Sequence, residues 1–107
     1  AETFAYVDEF IRYLVDGWKS IEGEDVHTGL AKVRVHLLDV AARGDTVNPP
    51  EGCEPLLARF GSPDKEYKLF SRDNGNASDF SHVGMVVSKQ AAIEIWPYVG
   101  AWMASRV

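Results

Sequence analysis

The sequence predicts an α/β fold: two parallel strands with flanking helices, too little to close a core alone. Two short apolar runs rich in β-strand formers, Val33 to Ala41 and Glu66 to Phe70, carry the strand signal. Between and around them apolar residues recur at helical spacing, and strands that alternate with helices pair in parallel. The first run is apolar on both faces near its centre, as a strand covered by helices must be.

In chain order, Phe4, Val7, Phe10, Ile11, Leu14, Val15 and Trp18 fall on one stripe and predict an amphipathic helix over about residues 3–18. Asp8, Glu9, Arg12 and Asp16 occupy its polar face, and Gly17 is a plausible stop. Residues 19–31 are polar and read as a connector. The first strand follows. Pro49 and Pro50 then open a helix that runs through Phe60, because proline's missing N–H costs nothing in a first turn. Gly61-Ser62-Pro63 ends it. After the second strand comes a polar loop, then a stripe of Val87, Ala91, Ile95, Tyr98, Val99 and Trp102. Ser88 is a candidate cap for this last helix, and Pro97 should kink or divide it.

With 107 residues the chain is one domain at most, and it reads as a single partial domain over 1–107. Parallel strand–helix–strand units take about 30 residues or more each, so the chain has room for only a few strands of such a sheet. A hydrophobic content of 46% with 25% charged residues is ordinary for a globular chain. The net charge of −5 disfavours nucleic acid, which is bound through clustered Lys and Arg. No run approaches the roughly 18 apolar residues of a membrane span, and no basic-then-apolar export signal opens the sequence. The single cysteine, Cys53, cannot form an internal disulfide; a reducing, cytoplasmic setting is expected.

The chemistry-bearing residues lie after the strands. Asp45 follows the first strand across Ala42-Arg43-Gly44, and His82 follows the second strand after the loop. Carboxyl ends of parallel strands are where such sheets place their sites. An acid and then a histidine is the tail of a nucleophile–acid–histidine order. Asp45 has a plainer reading as a turn residue bonding its own backbone, and His82 as a loop histidine with no task. No Gly-x-Ser-x-Gly or Gly-x-Cys-x-Gly elbow occurs. Cys53 lies in the helix after Asp45, between Glu51 and Glu54, which raise rather than lower a thiol pKa. It reads as an ordinary thiol. His27, His36 and His82 have no companions at metal spacing, so neither metal nor cofactor is expected. His36 falls mid-strand and reads as a core or interface residue. The Asn-, Asp- and Gly-rich run from Asp73 to Asp79 lacks calcium-loop spacing and reads as a flexible surface loop. Trp18, Trp96 and Trp102 read as packing residues, because aromatic platforms for nucleic acid need basic neighbours.

Asp45 to Pro50, Pro55-Leu56-Leu57, Gly61-Ser62-Pro63-Asp64-Lys65-Glu66, His82-Val83-Gly84 through Ser88, and Trp96-Pro97-Tyr98-Val99-Gly100-Ala101-Trp102 occur in a fixed order. This order resembles the C-terminal part of polyhydroxyalkanoate synthases of the class III type, within the α/β-hydrolase superfamily. The likeness spans about Phe4 to Arg106 and is weaker before Gly29. It implies that the chain is the C-terminal portion of an α/β-hydrolase fold, with Asp45 and His82 as the acid and histidine of a Cys–Asp–His triad. The cysteine, far upstream in that family, is acylated by a 3-hydroxyacyl-coenzyme A. Two departures stand out. His36 replaces a proline usual in the strand, and the loop before the histidine is expanded to residues 71–80, with Phe80-Ser81 in place of glycines.

Two expectations follow. The chain is an acid- and histidine-bearing enzyme segment, inactive alone and completed by a chain carrying the nucleophile. Alternatively it is a non-catalytic module derived from such a fragment, which self-associates or binds a partner. A buried-type strand with an open edge invites pairing with another chain, so a homodimer or a complementary polypeptide is expected.

Overall fold

The computed structural model describes residues 26–107, and within them a small mixed α/β domain. The helix expected over residues 3–18, and the first part of the connector, lie outside the described residues. The remainder of the connector is not all coil. A one-turn helix α1 (Val26–Leu30) occupies its end. The turn after α1 meets Gly61 so closely that any β-carbon there would collide with the Ala31 carbonyl, and the Gly61 N–H bonds the Leu30 carbonyl at 3.2 Å.

Strand β1 (Leu37–Ala42) pairs in parallel with β2 (Lys65–Phe70), in the register Leu37 to Lys65 through Ala42 to Phe70. The parallel pairing is as expected, but β1 starts four residues later than Val33. The register explains this: β2 begins at Lys65, so nothing before Leu37 has a strand to bond. Val33 to His36 are tied instead to the turn before β2. Ser62, almost fully buried, donates its hydroxyl to the Val33 carbonyl at 3.4 Å, and the Arg34 guanidinium donates to the Gly61 carbonyl at 3.0 Å. His36 is therefore neither mid-strand nor in the core. Its side chain is exposed, and Nδ1 lies 2.8 Å from Asp64 Oδ2. Asp64 also receives Arg106 Nε at 2.5 Å, which joins the end of the chain to the entrance of the sheet.

Helices cover both faces. Helix α2 (Pro50–Leu57) packs on one, with proline at its start as expected; the three residues to Phe60 continue as turns rather than helix. Lys65, at the head of β2, explains the early stop. Its ammonium donates to the carbonyls of Leu57, Ala58 and Phe60 at 3.2, 3.3 and 2.8 Å, satisfying groups that a helix end leaves open. On the other face lie three consecutive helices, α3 (Gly84–Val87), α4 (Lys89–Glu94) and α5 (Trp96–Ala104). Ser88 caps α4, its hydroxyl accepting from the Ala91 N–H at 3.0 Å. Pro97 sits in the first turn of α5 and divides the expected helix in two.

The core lies between β1–β2 and these last helices. Ala42, Phe70, Phe80, Ala91 and Ile95 are buried together, with Val40, Met85, Tyr98 and Val99 packed around them. Phe70 is central: its ring meets those of Phe80 and Tyr98 edge to face, at centroid distances of 6.5 and 5.7 Å. Phe80 holds this place at a conformational cost. Its φ of 48° is in the left-handed region, which disfavours any residue with a β-carbon.

Phe80→Ala should lose about 3–5 kcal/mol of stability through the lost ring. Phe80→Gly should unfold at higher urea than Phe80→Ala, by about 1 kcal/mol, because glycine alone is relaxed at that φ. The reverse order in urea melts would mean that the backbone there is unstrained.

Candidate functional site

Asp45 is positioned by the end of β1. The strand closes with the Arg43 N–H on the Phe70 carbonyl at 3.1 Å, and the chain turns so that the Asp45 N–H meets the Ala42 carbonyl at 3.1 Å. The carboxylate is then buried and divided between two tasks. Oδ1 accepts from the N–H groups of Val47 and Asn48 at 2.9 and 2.8 Å, which holds the turn into α2. Oδ2 lies 2.8 Å from His82 Nδ1. The two readings of Asp45, turn residue and partner of the histidine, hold together.

His82 arrives from the other strand through the expanded loop, and this loop differs from the flexible segment expected. It opens with a 3₁₀ turn over Arg72–Asn74, capped by Ser71. The Ser71 N–H donates to Asn76 Oδ1 at 3.0 Å, and the Arg72 N–H to Asp79 Oδ1 at 2.8 Å. Asn74 Nδ2 donates to the Leu69 carbonyl at 3.0 Å. Glu94 on α4 anchors the middle, accepting from Asn76 Nδ2 at 3.3 Å and from the Ala77 N–H at 3.2 Å. Asn, Asp and Ser side chains thus bond the loop's own backbone, which is what these residues do in turns.

The loop closes onto the turn that carries the acid. The Gly44 N–H donates to the Asp79 carbonyl at 2.8 Å, and a β-carbon at Gly44 would lie 2.6 Å from the Phe80 carbonyl oxygen. Only glycine permits that approach. His82 is two residues beyond Phe80, so this contact sets its distance from Asp45. Its side chain is 41% exposed while that of Asp45 is 1% exposed, so the histidine is reachable and its partner is shielded.

With Nδ1 facing Asp45, His82 Nε2 has no hydrogen-bond partner among the described residues. A carboxylate on one ring nitrogen orients the ring and stabilises its charged form, and the other nitrogen can take and return a proton. Burial pushes the Asp45 carboxyl up. The Asn48 N–H, His82 and the Val47 N–H outweigh it and hold the group below the usual aspartate range. It is a carboxylate at neutral pH.

A cavity of about 340 Å³ opens beside Asp45, bounded by Asp39, Cys53, Asn48 and Met85 among others. Cys53 lies in α2 and donates to the Pro49 carbonyl at 3.5 Å. Burial, together with the charges of Asp39, Asp45 and Glu51, pushes its thiol above the ordinary value of 9.0. It is a poor thiolate, and helix α2 is not a strand-to-helix elbow. Among the described residues no group of three or more His, Cys, Asp or Glu side chains could hold a metal ion. No described helix is long and apolar enough to cross a membrane. Trp96, expected to pack, is 54% exposed, its indole N–H on the Val86 carbonyl at 2.9 Å; Trp102 lies under the Arg106 guanidinium at 3.8 Å.

Three residues with a role here carried no assignment in the sequence. Glu94 organises a loop 18 residues away, a contact without local signature. Asp64 gathers His36 and Arg106 across 28 and 42 residues. Asp39 had a visible signal, a carboxylate inside an apolar strand. It has no cationic or hydrogen-bonding partner among the described residues, and burial raises its pKa. No family model, curated protein or solved structure matches the chain.

The depressed Asp45 pKa fixes the sign of one pH effect. Its contribution to stability is present above the unfolded value of about 3.9 and is lost as pH falls through the lower folded value. The stability gap between wild type and Asp45→Asn in urea melts should therefore shrink below about pH 4; a gap that widens on acidification would contradict it. Cys53 should be slow toward iodoacetamide near neutrality and reach half its limiting rate only above pH 9.0. Rapid alkylation at about pH 7 would mark it as an activated thiol.

Proposed function

We propose that the chain is the acid- and histidine-bearing segment of an acyl-transferring α/β-hydrolase, of the polyhydroxyalkanoate synthase type its sequence resembles. The observation that carries this reading is the Asp45–His82 contact of 2.8 Å, made after the C-terminal ends of two adjacent parallel strands. That is the disposition an acid–histidine pair needs in order to serve a nucleophile on a third element.

In this reading His82 Nε2 takes the proton of a cysteine thiol held on an elbow outside residues 1–107. The thiolate attacks the thioester carbonyl of a 3-hydroxyacyl-coenzyme A. The coenzyme A thiolate leaves and recovers the proton from the imidazolium, while Asp45 stabilises the charged ring between the two transfers. The described residues hold the base and its orienting acid, and the single cysteine, Cys53, is not activated, so in this reading the chain is inactive alone. Its partner is the nucleophile-bearing segment, in a complementary polypeptide or elsewhere in one protein.

A second reading has its own support. Among the described residues one edge of β1 is unpaired, and it and the half-exposed Val86, Trp96 and Met103 suit a module that self-associates, as a homodimer, or binds a partner without catalysis.

One experiment separates them. The 107-residue chain is mixed with a class III type synthase truncated before its own acid and histidine, and coenzyme A release from a 3-hydroxyacyl-coenzyme A is followed. Neither piece should turn over alone, the mixture should, and His82→Gln should lower its rate by about 10²–10⁴-fold. A mixture that stays inactive while the chain dimerises in light scattering would favour the second reading. Turnover by the chain alone, abolished by Cys53→Ala, would overturn both.

A further inference from the structure

His82 reaches Asp45 at the end of a long tether, the loop of residues 71–80. A longer loop has more freedom to lose when its ends are brought together, so every bond that orders it supports the Asp45–His82 contact. Those bonds lead back to one side chain.

Gln90 and Glu94 lie one helical turn apart on α4, and Gln90 Nε2 donates to Glu94 Oε2 at 2.9 Å. The helix is seated in the core by Ala91 and Ile95 and capped by Ser88, so the Glu94 carboxylate stands on a fixed element. Its Oε1 receives both Asn76 Nδ2 and the Ala77 N–H. Asn76 also holds the start of the loop, through the Ser71 N–H. Beyond Ala77 the path to the histidine is tied at each step. The Ser78 hydroxyl accepts from the Phe80 N–H at 3.0 Å. Asp79 accepts from the Arg72 N–H with its side chain and from the Gly44 N–H with its carbonyl. The Ser81 hydroxyl accepts from the Gly84 N–H at 3.0 Å, and its carbonyl from the Met85 N–H at 2.9 Å. His82 comes next. Glu94 is thus the point at which the middle of this path is fastened to a helix.

We propose that Glu94 is a positioning residue for His82: by fastening Asn76 and Ala77 to α4 it holds the loop so that the Phe80 carbonyl seats on Gly44 and His82 Nδ1 meets Asp45. The proposal rests on the acid–histidine reading above and names a residue outside the pair that sets its geometry. Glu94 touches neither ring nor carboxylate and acts through the loop alone. The requirement is for acceptor geometry rather than charge. An amide oxygen in the same place can receive both loop donors, whereas a methyl group receives neither.

The test reads the proton on the His82 ring in the 107-residue chain, by long-range proton–nitrogen NMR at about pH 9, where histidine is ordinarily neutral. Which ring nitrogen holds the proton is set by the hydrogen bonds the ring makes. With Nδ1 2.8 Å from Asp45, wild type should hold it on Nδ1, the tautomer an unrestrained imidazole disfavours. Asp45→Ala should move the majority to Nε2 and gives the signal of a released ring. Glu94→Ala should shift His82 the same way, and Glu94→Gln should keep the wild-type tautomer. His36, with Nδ1 2.8 Å from Asp64 at the opposite end of the sheet, reports that the domain is folded and should not change in any variant. A wild-type tautomer in Glu94→Ala, or equal shifts in Glu94→Ala and Glu94→Gln, would overturn the proposal. So would a parallel change at His36, which would make Glu94 a residue of general stability. A His82 signal indifferent to Asp45→Ala would dismiss the pair itself, and the proposal with it. No acyl transfer enters the readout, so a failed reconstitution leaves a positive result standing, and a Glu94 that proves dispensable leaves the Asp45–His82 chemistry untouched.

Discussion

The carboxylate of Asp45 is the point on which the site depends. One oxygen fixes the turn from β1 into α2 through two backbone N–H groups, and the other fixes His82. A side chain held only by the histidine would be free to rotate about its own bonds. Here two backbone N–H groups of the turn hold it as well, so the ring faces an oriented partner. Burial would ordinarily disfavour the charged form, and three donors outweigh that penalty. The anchoring and the charge have the same source, which is why neither can be altered alone.

The second constraint is steric. The 71–81 loop has to bring a histidine from the end of β2 back over the turn after β1, and it does so by pressing the Phe80 carbonyl against Gly44. Phe80 accepts a left-handed backbone to complete this path while its ring fills the core beside Phe70. Loop, core and site are thus joined through one residue. A segment with glycine at that position would follow the same path without strain but would leave the space beside Phe70 to another group.

Much of this was legible in the residues. The parallel strands, the proline-led helix after Asp45, the Ser88 cap and the break at Pro97 all follow from local chemistry, which acts within a few residues. What the sequence hid lies in contacts between distant segments. The start of β1 depends on where β2 begins, so the apolar run from Val33 overstated it, and His36 moved from an expected interior to an exposed pair with Asp64. The order within the 71–81 loop depends on Glu94, and its Asn- and Gly-rich composition resembles that of a mobile tip. Asp45 and His82 could be nominated from their places after strands, but their 2.8 Å separation depends on a close approach at Gly44 that no periodicity records.

The pairing of His36 and Arg106 with Asp64 has a consequence for how the domain assembles. These contacts join positions 28 and 42 residues apart, and the Asp45–His82 contact spans 37. Each closes a long stretch of chain, whose lost freedom is unfavourable until the enclosed surfaces meet. Helices α2 and α5 are built from near-neighbour contacts, whereas the 71–81 loop takes its order from Glu94 on α4. The sheet, the joined chain end and the paired side chains rest on non-local contacts, a topology that as a class folds more slowly than helical bundles rich in local contacts.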